Sequence, residues 1–419
     1  MASAMLIRQD DLRLRNRHLV LSAVRVGGAT SRTALANRTR LSHSTISAIS
    51  ADLIGDGVLC ESPDTMQGRR GRPQIALALQ PQAALVVTAL LSLNNLSVAL
   101  VDYAGKVQAQ RRCDLPTTSM ARSDLLDLVT SEIAELISAR PWPAAAVRRI
   151  AFAIQGVTDA EARSLLWSPI TPHGDVPFAD LLEARFGVQT TVENDCNMLV
   201  FALQQGDPAL YRSNFVALLL SHGIGMGLML RGEVFHGTRS SAGEFGHVTH
   251  QPGGARCRCG RNGCIEAYAG SYALWRRAKG LPPTEMPEKA VSDAQVEDLM
   301  VAARERDGPE REAFHEAGTA IGYGLGSLFA LIDPAPVALV GIGATAFDLL
   351  EEPIREALAR TLGGQRSEAF SFRVVERPNM ALTLEGGALH ALTTLDAEIA
   401  GVAASALPAR STAAAAILR

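Results

Sequence analysis

One histidine and three cysteines, His247, Cys257, Cys259 and Cys264, fall within eighteen residues of this 419-residue chain. Imidazole nitrogen and thiolate sulfur are borderline-to-soft ligands, and four of them complete a tetrahedral shell. Gly260 and Gly263 let the backbone bend around the centre. The chemistry expected is one structural zinc ion per chain, closed to water, whose work is to pin a loop. The competing reading is a disulfide with a spare thiol. The remaining cysteines, Cys60, Cys113 and Cys196, are scattered without a pairing pattern, which suits a reducing compartment and the metal.

Around this block stand Asn194, Asp195, Glu244, His247 and Glu266, a mixture of donors and acceptors of the kind that reads several hydroxyls of a sugar in a preformed cleft. The bland alternative is that some of them are helix caps or loop fasteners. A glycine turn, His222-Gly223-Ile224-Gly225-Met226-Gly227, could converge backbone N–H groups on an anion, whereas the turn Leu90-Leu91-Ser92-Leu93-Asn94 has neither glycine nor acid.

These groups need a scaffold. Residues 1 to 75 hold eleven Arg, no Lys and six acidic residues, a surplus of five positive charges on a chain whose net charge is −3. A basic module on an acidic body points to nucleic acid binding by that module. Asn16 to Arg25 predicts an amphipathic helix with Leu19, Leu21 and Val24 inward, Thr30 or Ser31 can cap a second helix, and Ser42 a third. In the third, Ile46, Ile49, Leu53 and Ile54 face inward while His43, Ser44, Thr45 and Ser47 crowd its first turn with short polar groups, the layout of a recognition helix. Strands at Val58–Glu61 and Ile75–Leu79 flank the tip Gly68-Arg69-Arg70-Gly71-Arg72-Pro73, completing a winged helix whose Arg69, Arg70 and Arg72 could enter a minor groove. The same architecture also serves protein interaction modules.

Length alone allows two to three domains, and a hydrophobic content of 47% with 20% charged residues is that of a globular chain. Met1 to Asp11 lacks the features of a secretory signal. The uncharged run Ala83 to Val101 is long enough for a membrane helix, but Asn94 and Asn95 interrupt it, and Phe215 to Leu230 repeats its plan of strand, turn and strand. A helical stretch from Ser123 to Ser138, a strand from Arg149 to Ile154 and another leading into Glu193 lie between the two hairpins. Duplicated hairpins among alternating strands and helices predict an α/β body with a cleft between two lobes.

Gly243-Glu244-Phe245-Gly246-His247 and Cys257-Arg258-Cys259-Gly260-Arg261-Asn262-Gly263-Cys264-Ile265-Glu266 resemble the signature of the ROK family (repressors, open reading frames and sugar kinases), as do Glu193-Asn194-Asp195 and Gly341-Ile342-Gly343. The resemblance covers roughly residues 15 to 395 and is that of the repressor branch, similar to N-acetylglucosamine- and xylose-type repressors. It implies an actin-like (ribonuclease H-like) two-lobed domain, zinc on His247 and the three cysteines, sugar at Asn194, Asp195, Glu244, His247 and Glu266, and Asp195 at the catalytic-base position of the kinases. Kinases of the family carry an Asp-x-Gly-Gly-Thr type loop in the first hairpin, where this chain has Leu90, Ser92, Leu93 and Asn94.

The expectation is therefore a cytoplasmic sugar-responsive repressor without enzymatic activity. A winged helix-turn-helix spans 1–80, a ROK domain 81–405 with lobes divided near 195 and a C-terminal helix returning to the first lobe, and a tail 406–419. Its partners would be an inverted-repeat operator, a sugar or sugar phosphate, and further copies of itself in a homodimer or homotetramer, with no membrane. A DNA-binding ATP-dependent sugar kinase and a regulator controlled by a protein partner remain the alternatives.

Overall fold

The computed structural model describes residues 9–63, 75–139, 146–238, 240, 243–286, 290–365 and 371–402. The N-terminal module consists of α1 (Gln9–Gly27), β1 (Thr30–Ser31), α2 (Arg32–Thr39), α3 (His43–Gly55), β2 (Leu59–Pro63) and β3 (Ile75–Leu79), with an antiparallel sheet in the order β1-β3-β2. Ser31 and Ser42 cap α2 and α3, each accepting from the backbone N–H three residues on. Val20, Leu21, Leu35, Ile46 and Leu53 fill its core. α1 begins seven residues before the expected Asn16, and Val20 takes the inward place assigned to Leu19. In its early turns Arg13 pairs with Asp52 of α3 and Arg17 with Asp56 just beyond the end of α3. The arginines of the wing tip, Arg69, Arg70 and Arg72, lie outside the described residues.

The body is one strand plan used twice. The first lobe has β4 (Leu85–Ser92), β5 (Asn95–Asp102), β6 (Val107–Asp114), α4 (Arg122–Ser138), β7 (Val147–Ile154), the small hairpin β8 (Val157–Thr158) and β9 (Leu165–Trp167), α5 (Phe178–Phe186) and β10 (Gln189–Asn194). Next comes α6 (Asp195–Gly206). The second lobe has β11 (Phe215–Leu220), β12 (Ile224–Leu230), β13 (Glu233–Val234), α7 (Glu266–Ala269), α8 (Ser271–Ala278), α9 (Asp293–Glu305), α10 (Pro309–Ile332), β14 (Val337–Val340), α11 (Phe347–Ala359) and β15 (Phe372–Val374), and the described chain closes with α12 (Asn379–Ile399). The five-stranded sheets run β6-β5-β4-β7-β10 and β13-β12-β11-β14-β15, in each case an antiparallel hairpin pair followed by two parallel crossovers. This is the actin-like two-lobed fold.

Two helices cross between the lobes. α6 follows the first sheet yet packs on β11 and β12, while α12 follows the second sheet and packs on β4 and β7. They press directly on each other: a Cβ at Gly386 of α12 would lie 1.7 Å from the Met198 carbonyl of α6, so only hydrogen fits there. The C-terminal helix starts at Asn379, after Pro378, and stops at Ile399, where Gly401 turns the chain with φ 79°. The Ala-rich stretch 403–419 lies outside the described residues.

Candidate functional site

The cleft opens where β10 meets α6 on one side and the second hairpin meets the cysteine loop on the other. Asn194 is the N-cap of α6: its Oδ1 accepts from the Cys196 and Asn197 amides, and its Nδ2 donates to Gly156 O at 2.9 Å. Both of its polar atoms are thus engaged, which favours the fastener reading for this residue. Asp195, first residue of the helix, lines the cleft with 7% exposure, and burial pushes its carboxyl up to about 6. Its Oδ1 accepts from Cys196 N at 3.0 Å.

Across the cleft, Glu244 precedes the short turn Phe245–His247, and burial together with the nearby Glu266 carboxylate raises its pKa while His247 opposes the shift. Glu266 at the start of α7 accepts from Ile224 N at 3.2 Å, and its carboxylate lies 2.5 Å from where a Cβ on Gly223 would be. A side chain at 223 would displace this carboxylate. Glu266 also accepts from Cys257 Sγ at 3.6 Å, so one carboxylate ties the glycine hairpin to the cysteine loop.

His247, Cys257, Cys259 and Cys264 present ligand atoms that all lie within 4.8 Å of one another. Cys259 and Cys264 sulfurs are 3.7 Å apart, too far for a disulfide, and Cys257 Sγ is 3.6 Å from His247 Nδ1. A tetrahedral ion bonded at about 2.3 Å to sulfur and about 2.0 Å to nitrogen would have edges of about 3.8 and 3.5 Å. Both separations fit. Burial pushes the Cys257 thiol up strongly and the Cys264 thiol up to about 11, a cost that a central cation would remove. The loop is held from behind by Arg276, 3% exposed, which donates to the carbonyls of Arg256, Ala267 and Glu285. Gly263 adopts φ 85° with Gln251 O directly against it, a place no side chain can take. With Nδ1 turned to the sulfurs, His247 Nε2 faces the cleft, 3.7 Å from Glu244 Oε2.

The cleft encloses about 210 Å³ and brings together Asn194, Asp195, Glu244, His247 and Glu266. It also contains residues that the sequence pattern did not reveal. Trp167, 41% exposed, reaches in from β9 and meets the His247 ring edge-on at 6.1 Å between centroids. Asn379, Met380 and Thr383 enter from the first turns of α12. Beneath the site, Glu193 is 2% exposed and joins His236 across the lobes at 3.0 Å. A lone tryptophan after two leucines, and a helix from the far end of the chain, carry no local motif that would flag them.

The first hairpin closes in two residues, Leu93 and Asn94, between the paired Ser92 and Asn95, with Asn94 at φ 56°. Leu90, Ser92 and Leu93 face the cleft there. The opposite turn brings His222, its pKa lowered by burial, and Gly223.

In the N-terminal module His43, Ser44 and Ser47 are exposed and Thr45 is half-buried. The Ser42 cap hydroxyl lies 2.8 Å from both the Ser44 and Thr45 hydroxyls.

The ROK family profile matches residues 93–381, more than half of the chain and spanning both lobes and the cysteine block. The chain belongs to the ROK family. A xylose repressor of Caldicellulosiruptor bescii is 23% identical over 349 residues, 82% of this chain and 87% of the relative. In fold, a ROK family transcriptional regulator homologous to the E. coli MLC protein superposes with a TM-score of 0.73 at 24% identity, covering 93% of this chain and 98% of that one. A ROK glucokinase of Streptomyces griseus, solved with glucose and AMPPNP, gives 0.59 at 22% identity and covers 74% of this chain and 99% of its own. No helix among the described residues is long and apolar enough to cross a membrane.

Proposed function

We propose that this chain is a sugar-responsive DNA-binding transcriptional regulator, a repressor of carbohydrate genes, that binds sugar without phosphorylating it. The observation that carries the reading is the joint presence of an N-terminal module of three helices and a three-stranded sheet, lying outside the 74% of this chain that the Streptomyces griseus glucokinase matches over 99% of its own length, and a polar interlobe cleft. Asp195, Glu244, His247 and Glu266 would hold the hydroxyls of a sugar, with Asn194 fixing the helix that presents Asp195. His43, Ser44, Thr45 and Ser47 would meet base edges, and Arg69, Arg70 and Arg72 the minor groove. Two modules in a homo-oligomer would read an inverted repeat.

Zinc is the ion the four-ligand cluster would hold, and its chemistry there is structural. Through Nδ1 it would orient His247 so that Nε2 is presented to the ligand.

Support for sensing without phosphoryl transfer comes from the first hairpin. A two-residue turn with leucines at 90 and 93 facing the cleft has no carboxylate to orient a hydrated magnesium ion and no glycine for close approach of phosphate. Incubation with ATP and a panel of aldoses and amino sugars should give no sugar phosphate, while one of the same sugars releases the protein from its operator. Steady turnover abolished by Asp195→Asn would favour the kinase alternative.

A further inference from the structure

One helix touches both ends of the proposed signalling path. The first turns of α12 place Asn379, Met380 and Thr383 in the cleft, and its last turns reach the DNA-binding module. Asp396, 1% exposed, lies thirteen residues beyond Thr383, about 20 Å along the helix axis. There it receives both branches of the Arg25 guanidinium from α1, Nε to Oδ2 at 2.5 Å and Nη2 to Oδ1 at 2.8 Å. The Tyr103 hydroxyl donates to the same Oδ1 at 2.5 Å, Arg25 Nη1 donates to the Tyr103 carbonyl at 2.9 Å, and the guanidinium sits 4.7 Å above the Tyr103 ring. Arg25 itself is almost fully enclosed. Arg17 adds a bond from α1 to the Ile399 carbonyl, and Leu14 packs on Gly401.

We infer that α12 is the element that carries the sugar signal to the DNA-binding module, and that Arg25, Tyr103 and Asp396 are the positioning residues of its joint. The inference rests on the regulator reading above. Three pieces of chain meet at this carboxylate: α1 of the module, α12, and the segment just after β5 of the first lobe. α12 also lies between the lobes, against α6 and the first sheet, with Gly386 against the Met198 backbone of α6 and Gly387 against the Thr88 side chain of β4. Any change in lobe closure about a bound sugar must therefore move α12 relative to α6 or to β4. A packed helix moves as a rod, because its interior contacts are not continuously deformable. At its far end the bidentate pair is enclosed, so the module follows the helix rather than sliding over it; a solvated pair would slip at little cost. The link from β3 to β4 is short, Gln80 to Ala84, and Tyr103 N bonds to Pro81 O within it. A displacement at the joint thus reaches the winged helix without a slack tether to absorb it.

The test compares the wild type with Arg25→Gln, Asp396→Asn, the double variant, and Tyr103→Phe. Operator affinity is measured with and without saturating sugar, and sugar affinity is measured on the DNA-free protein. In the wild type sugar is expected to weaken operator binding about 5- to 150-fold, the usual span of allosteric coupling. Each variant of the pair should bind sugar within about threefold of wild type while its release ratio falls toward one. The double variant should be no worse than either single change, since the two residues make one joint. Tyr103→Phe deletes one hydrogen bond and no charge, so it keeps the fold if the buried-pair variants do not, and its ratio should be intermediate. Wild-type release ratios in folded Tyr103→Phe and Asp396→Asn would overturn the inference and leave the regulator reading standing. A wild type that binds operator but ignores every sugar would overturn both. Additive losses in the double variant would assign the residues a merely structural role and also refute the joint.

Discussion

Asp195→Asn should make the protein more stable, and increasingly so as pH rises. The carboxyl is almost fully buried, and burial moves it from 3.8 to about 6. A folded pKa above the unfolded one means that the ionised group costs the folded state: the cost is absent below about pH 4, grows through the interval, and is complete above pH 6. At about 1.4 kcal/mol per tenfold in proton affinity, the full cost is about 3 kcal/mol at pH 8 and about half of that at pH 5. Asparagine carries no charge to desolvate and still offers an oxygen to the Cys196 amide. The expected gain is about 1.5 kcal/mol at pH 5 and about 3 kcal/mol at pH 8, read from urea unfolding curves of the two proteins at both pH values. The same reasoning bears on the ligand. A sugar hydroxyl donating to Asp195 favours the ionised form, so wild-type sugar affinity should tighten as pH rises through about 6, and the Asn variant should lose that dependence. A stability difference independent of pH, or a loss of stability at pH 8, would refute the burial argument.

Three further outcomes are expected. Protein purified without chelator should carry one zinc per chain by metal analysis, and Cys257→Ser or Cys259→Ser should release it and weaken sugar binding by at least about tenfold; a metal-free protein with full sugar response would contradict the assignment. Glu244→Ala should leave operator affinity within about twofold of wild type in an anisotropy titration and abolish release by sugar, because the cleft and the DNA-binding module are separate; retained release would remove Glu244 from the site. Replacing Arg69, Arg70 and Arg72 with Ala should lower operator affinity and reduce the slope of log affinity against log salt by roughly 3, and an unchanged slope would show that the wing does not touch phosphate.

Much of this architecture is legible locally. Ser31 and Ser42 sit where a cap is needed and the apolar residues of α3 recur at helical spacing, so the module can be drawn from its own sixty residues. The duplicated hairpins appear as the same apolar pattern written twice, and the metal cluster as ligands a few residues apart. What local pattern cannot show is what the chain brings from afar. α1 extends forward to Gln9, where its turns meet Asp52 and Asp56 through Arg13 and Arg17, partners far along the chain that periodicity does not show. α12 starts before the Ala-rich segment because its neighbours are α6 and the first sheet, and its cleft residues Asn379, Met380 and Thr383 look like any helix start. Trp167 enters the site, and Glu193 meets His236 beside it, only when the lobes face each other.

The central claim, that a sugar in the interlobe cleft controls DNA binding by the winged helix, is tested most directly by one titration. Operator DNA selected by the protein from a pool of genomic fragments is held with the full chain at fixed salt, and aldoses, amino sugars and their phosphates are added in turn. The account predicts that one of them weakens the complex at least about fivefold and that Glu244→Ala is blind to it. An operator complex unmoved by the whole panel would contradict it.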